Sequence, residues 1–278
     1  MRAESTTAVV LRALEFGESD KIVTLLTRDA GKVTAIAKGA KRSLRRFGGA
    51  LELFSYVRID YRQRRTAELA FLERAVLVRP WRGLIASLER YGAACHVVEV
   101  ADKLTAEREV GDRLFSVLVA ALARLDGAEP GSLTLRLYEL SALAACGYRY
   151  DFGRCTGCRR PVVPTATRSF LREGGVACGD CADRVGAGIS PGRHTLELLL
   201  RLQTLVAAAV PPEGRPAADR FDLYECEAGL EDARPLPDAE LARVLAVLLA
   251  PCVRGRLRAF DLIAPILQRS ARLPEQDR

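Results

Sequence analysis

Apolar and polar positions alternate with two different periods along this chain, and the change falls near residue 80. Before it, Thr7–Leu14, Ile22–Thr27 and Val33–Ala37 are rich in Val, Ile, Leu and Thr and are separated by turn residues such as Asp29-Ala30-Gly31. In Tyr56–Arg62 the side chains of Val57, Ile59 and Tyr61 share one face and charges take the other, the period of a half-buried strand. About six short strands in 80 residues predict a small barrel or sandwich, and an OB-fold suits that size.

After Pro80 the period becomes helical. Leu84, Leu88, Tyr91, Cys95 and Val98 form one stripe. Leu114, Leu118, Ala121, Leu122 and Leu125 form a second, and Leu133, Leu137, Leu140 and Ala144 form a third that stops at Gly147. Leu198, Leu202 and Leu205 continue the pattern up to Pro211-Pro212. Asp238 is placed to cap a helix bearing Leu241, Leu245, Leu248 and Cys252, and a last helix is expected near Leu257–Leu267, interrupted by Pro265. Residues 211–237 read as a long connection of low definition. The expectation is an α+β multidomain chain: a barrel over 1–80, then a helical domain over 81–278 with a cysteine module inserted at about 150–185.

Charge sharpens the first module. Residues 1–80 carry 16 Lys and Arg against 9 Asp and Glu, so they hold all of the formal net charge of +7. A basic module beside a neutral one points to a polyanionic partner; a basic surface that serves only solubility is the plainer alternative. The N-terminal residues lack the apolar run of a secretion signal, and no apolar stretch reaches the roughly 20 residues of a membrane helix. A cytosolic protein is expected, and a reducing compartment disfavours a disulfide framework for the eight cysteines.

Four of those cysteines are patterned. Cys155-Thr-Gly-Cys158 and Cys178-Gly-Asp-Cys181 make two CxxC pairs with 19 residues between them, a spacing within the range of zinc sites. Two such pairs supply four thiolates to one tetrahedral ion. Gly174-Gly175 offers a hairpin turn that returns the second pair to the first. A redox dithiol, two disulfides or an iron–sulfur cluster are the alternatives. His96 and His194 lie in helical stretches and read as packed or surface residues, and Cys95, Cys146, Cys226 and Cys252 as small apolar side chains.

The positive charge is itself concentrated. Lys38, Lys41, Arg42, Arg45 and Arg46 fall within nine residues with no acid among them, and Arg62, Arg64 and Arg65 form a second group. Phe47, Phe54, Tyr56 and Tyr61 are interleaved, although Phe54 and Tyr61 also suit a core. A flexible cationic loop with aromatic neighbours suits single-stranded nucleic acid, where cations follow phosphates and rings stack on bases. There is no phosphate-binding G-x-x-x-x-G-K-[ST], no H-E-x-x-H and no G-x-S-x-G. No acid–base or nucleophile set can be assembled, so no enzymatic turnover is expected.

The run from Gly17-Glu18-Ser19-Asp20-Lys21 through Lys41-Arg42, the stretch Leu51–Ser55, and the order Gly147-Tyr148, Cys155-x-x-Cys158, Gly174-Gly175, Cys178-x-x-Cys181 together resemble the RecO family of bacterial DNA repair proteins. The resemblance spans roughly residues 5–185. It implies an N-terminal OB-fold, a helical domain and a structural zinc module. It also implies binding to single- and double-stranded DNA, annealing of complementary strands, and work with RecR and the single-strand-binding protein SSB to load RecA in the cytoplasm, at the nucleoid. By position, it makes Lys38, Lys41, Arg42, Arg45 and Arg46 the candidate DNA contacts, with Arg62, Arg64 and Arg65 weaker ones. A zinc-containing RNA-binding factor is the main rival, since a basic OB-like barrel serves it equally well.

Overall fold

The computed structural model describes residues 2–63, 69–106, 112–164, 169–172, 174–185, 188–210, 222–228, 230 and 238–259. The chain divides into two compact units: residues 1–130, joined by the chain from Arg258 onward, and residues 131–257.

The first unit is built on five strands, β1 (Arg2–Phe16), β2 (Asp20–Thr27), β3 (Gly31–Ala37), β4 (Tyr56–Gln63) and β5 (Ala70–Arg79). They close in the order β1-β2-β3-β5-β4, an OB-like barrel with one strand fewer than the periodicity suggested. β1 is long enough to pair with β2 through one half and β4 through the other, and a bulge between Val10 and Arg12 lets it bend. Inward residues are mostly small or β-branched: Ala8, Val10, Val23, Val33, Ala35, Val57, Ile59 and Ala70. That choice fits a narrow lumen. Phe47, Ala50 and Leu51, from the β3–β4 connection, join the same core. Tyr61 is buried there and donates its hydroxyl to Glu4 at 2.5 Å. Burial raises its pKa, and the Glu4 hydrogen bond raises it further.

A short 3-10 turn (Arg82–Ile85) leads to α1 (Leu88–Leu104) and α2 (Asp112–Gly127), which both belong to this unit. The predicted stripe through Leu84 and Leu88 is out of phase with the observed helix. α1 starts only after Ser87, whose hydroxyl accepts the Arg90 N–H, and it buries Ala93, Ala94, Val97, Val98, Val100 and Ala101, leaving Leu88 and Tyr91 exposed. The turn broke the register on which the stripe was counted. Lys32 of β3 and Arg12 of β1 both reach the Asp102 carboxylate, at 3.1 and 2.6 Å, and fasten α1 to the barrel wall. Trp81 donates its indole N–H to the carbonyl of Phe54 at 3.1 Å, and Phe54 itself sits at a φ of 71°.

The second unit begins with α3 (Ser132–Ala145) and holds the hairpin β6 (Ser169–Arg172) and β7 (Gly175–Cys178), then α4 (Gly179–Val185), α5 (Arg193–Ala209), α6 (Leu223–Ala228) and α7 (Asp238–Leu249). α3 packs on α5, α6 and α7. Residues 211–237 are therefore not all connection: α6 lies within them, with Leu223 and Cys226 buried. The helix predicted near Leu257–Leu267 falls mostly outside the described residues. On α3 the Arg136–Glu139 pair, at 2.7 Å, is almost wholly buried. Phe152, three residues before Cys155, is buried, and its N–H donates to Gln203 Oε1 of α5 at 2.7 Å. No described helix is long and apolar enough to cross a membrane.

Candidate metal centre and nucleic-acid interface

The first cysteine pair sits on a tight turn. Cys155 N–H donates to the Arg160 carbonyl at 2.9 Å and Arg159 N–H donates back to the Cys155 carbonyl at 2.8 Å, with Arg159 at a φ of 62°. Gly157 sits in a tight space: a Cβ there would lie 3.1 Å from both Cβ and Sγ of Cys181. The second pair straddles the end of β7 and the first turn of α4. The β6–β7 hairpin turns at Gly175, whose φ is 118°, and so brings Cys178 back. Thr156 N–H then donates to the Val176 carbonyl at 2.8 Å, and Cys178 N–H to the Cys155 sulfur at 3.3 Å.

The sulfurs of Cys155, Cys158, Cys178 and Cys181 lie within 4.8 Å of one another. A tetrahedral zinc with Zn–S of about 2.3 Å needs neighbouring sulfurs about 3.8 Å apart, and Cys158 and Cys178 stand at 3.7 Å. These four thiols can hold a metal ion. Burial opposes charge on Cys155, but N–H donors from Cys178, Cys158 and Gly157 outweigh it and lower its pKa to about 6. Burial and the neighbouring sulfurs push Cys181 up to about 12. So many sulfurs close together cannot all ionise unaided; a divalent cation removes that conflict. Arg160, which the sequence reading did not single out, donates to Cys158 Sγ at 3.4 Å and pairs with Asp180 at 2.8 Å, joining the two pairs from outside. Only its place two residues after a cysteine hinted at this. His96, buried in α1, and His194, exposed on α5, are not part of the cluster.

The cationic segment after β3 is not a flexible loop. It is a chain of turns held to the β1–β2 hairpin: Lys41 N–H donates to the Ser19 carbonyl at 2.9 Å, and Asp20 accepts the Gly39 N–H at 2.8 Å. That bond holds the Asp20 carboxyl below its ordinary pKa. Lys41 pairs with Glu15 at 2.8 Å, Arg42 approaches Glu18 at 3.9 Å, and Arg62 pairs with Glu73 at 2.8 Å. Arg46 is committed inward, bonded to the Lys38 carbonyl at 2.6 Å and stacked 5.0 Å over Phe47. Lys38 and Arg45 are exposed, and their side chains make no hydrogen bond or ion pair among the described residues. Arg64 and Arg65 lie outside the described residues. Of the interleaved aromatics, Phe47, Phe54 and Tyr61 are buried and Tyr56 stacks on Trp81, so none of the first three is free to meet a base.

Residues 1–81 match the family model for the N-terminal part of recombination protein O, and residues 85–234 that for its C-terminal part. The chain belongs to the RecO family. A DNA repair protein RecO from Anaeromyxobacter dehalogenans is 43% identical over 213 residues, 76% of this chain and 84% of its own. RecO of Geobacter metallireducens is 38% identical over 191 residues, covering 69% and 77%, and RecO of Geobacter sulfurreducens is 35% identical over 243 residues, covering 86% and 96%. The RecO models reach past both cysteine pairs, so the barrel and the metal cluster lie within the shared region.

Proposed function

We propose that this RecO-family chain binds single- and double-stranded DNA through its barrel, anneals complementary strands, and acts with RecR to load RecA on SSB-coated DNA. The observation that carries the reading is the charge: all of the net +7 sits on the residues that form the barrel, with Lys38 and Arg45 exposed at its surface. Two complementary strands repel through their phosphates, and a protein that neutralises both lets them meet. No turnover chemistry is needed for that, so the protein works as a binding factor. Its place is the cytoplasm, on nucleoid DNA. Zinc is the ion assigned to the four cysteines; bound there it supplies a closed, structural cross-link between the two turns, while Arg160 shields the outer sulfur. The test is annealing of SSB-coated complementary strands by the pure protein without ATP. Annealing at the ATP-free rate with hydrolysis blocked supports the reading; a strict need for nucleotide hydrolysis sinks it. Competition between DNA and RNA strands of one sequence separates it from an RNA-binding role.

A further inference from the structure

The four sulfurs of the cysteine cluster are not equivalent. Cys155, Cys178 and Cys181 are buried, whereas Cys158 is only half-buried. Its turn is open to water as well: Thr156, Gly157, Arg159 and Arg160 are all exposed. A small uncharged oxidant such as a peroxide therefore meets the Cys158 sulfur before the other three. A bound metal ion keeps that sulfur as a thiolate, which is the form that reacts. The scattered cysteines differ in this respect. Burial pushes the thiols of Cys95, Cys226 and Cys252 up, so they stay protonated.

A second sulfur lies within reach of the first. Cys178 Sγ is 3.7 Å from Cys158 Sγ, and a disulfide needs about 2.05 Å, so a side-chain rotation at the more exposed partner closes the pair. Arg160 guards the entrance. Its Nε–H donates to Cys158 Sγ at 3.4 Å, and its other end pairs with Asp180 at 2.8 Å. A cationic donor draws electron density from the sulfur and slows its attack. With its own side chain 64% exposed, Arg160 screens the sulfur without sealing it.

We propose that Cys158 is a peroxide-modification site whose oxidation, resolved by Cys178, opens the metal cluster, with Arg160 setting the rate. The proposal rests on the zinc reading above and adds a redox chemistry to it. The Cys158 thiolate attacks one peroxide oxygen: an S–O bond forms, the O–O bond breaks, and hydroxide leaves. The Cys178 thiolate then attacks the Cys158 sulfur: the disulfide forms, the S–O bond breaks, and a second hydroxide leaves. Each hydroxide takes a proton from solvent, so two thiolates lose two electrons and one peroxide becomes two waters. Only Cys155 and Cys181 then remain as thiolates, too few for a closed tetrahedral site.

Pure protein is analysed for metal and then given limiting hydrogen peroxide beside a chromogenic zinc chelator, against a control without peroxide. Zinc should appear in step with the loss of two thiols per chain. Peptide mass spectrometry should find the Cys158–Cys178 disulfide, and dimedone added with the peroxide should label Cys158 ahead of every other cysteine. A dithiol reductant with added zinc should restore the metal content. Arg160→Ala should release zinc about two- to five-fold faster, the reach of an exposed charged contact, while its reduced form holds as much zinc as wild type. Zinc retained while peroxide oxidises other cysteines, first labelling elsewhere, or a disulfide without Cys178 overturns the proposal and leaves the zinc reading in place. A release rate unchanged in Arg160→Ala overturns the role given to Arg160. Protein purified without zinc overturns both this proposal and the reading beneath it.

Discussion

Individual side chains separate into those whose role their neighbours in sequence announce and those whose role only packing decides. The four cysteines are of the first kind, because the geometry of a CxxC turn is local and two such turns leave one tetrahedral arrangement. Cys178→Ser should abolish stoichiometric metal in the purified protein and lower its melting temperature, since zinc binding worth about 10–16 kcal/mol is also folding free energy. Zinc affinity should fall as pH is lowered, because protons and metal compete for the same sulfurs. The fall should steepen below about 6, where Cys155 as well must give up a proton to bind; a metal competition titration from pH 8 to 5 reads this directly. The cations are of the second kind. Nothing in the run Lys38–Arg46 tells which residue turns inward, yet Arg46 is spent on a carbonyl and a ring, and Lys41 and Arg42 face Glu15 and Glu18. Exposed pairs of that kind are weak and exchange readily for phosphate. Lys38 and Arg45 form no such pair among the described residues. Changing both to Ala should flatten the salt dependence of single-strand binding by about 1.4 log units per log unit of salt, equally for unrelated sequences and with no change in melting temperature. An unchanged slope would remove this segment from the interface.

At the scale of elements, strands were legible where one face is buried and the other is wet, as in β4, whose Val57, Ile59 and Tyr61 all enter the core. β1 was read too short, because its outward positions include Leu14 and Phe16 and blur the alternation. The start of α1 was misjudged for a different reason: Leu84 is buried, but in a 3-10 turn with its own register. That turn depends on close backbone approach. Gly83 N–H donates to the Asp126 carboxylate at 2.6 Å, and a Cβ on Gly83 would lie 1.9 Å from the Asp126 carbonyl oxygen. Gly83→Ala must therefore push the turn off the end of α2, at a cost of about 1–3 kcal/mol, visible as a lowered urea midpoint with the urea dependence unchanged. Gly157→Ala meets a softer obstacle at Cys181 and should weaken metal retention more than it affects the helices.

For the whole molecule, the sequence carried the order of modules well, because a basic β region, a helical region and a cysteine-rich insert differ in composition as well as in period. The grouping of α1 and α2 with the barrel was invisible to it, since helix periodicity says which face is buried and not against what. Closure of the barrel has its own uneven distribution. β1 pairs extensively on both sides, whereas among the described residues β3 and β5 meet through Ala35–Ala70 and Ile36–Phe71. Amide protons along that short parallel junction should exchange with deuterium sooner than those between β1 and β2, because few hydrogen bonds have to open together. Any ligand that bridges β3 and β5 would act as a clasp over the thinnest stave joint, so slowed exchange at Ile36 and Phe71, detected by mass spectrometry, would report its arrival.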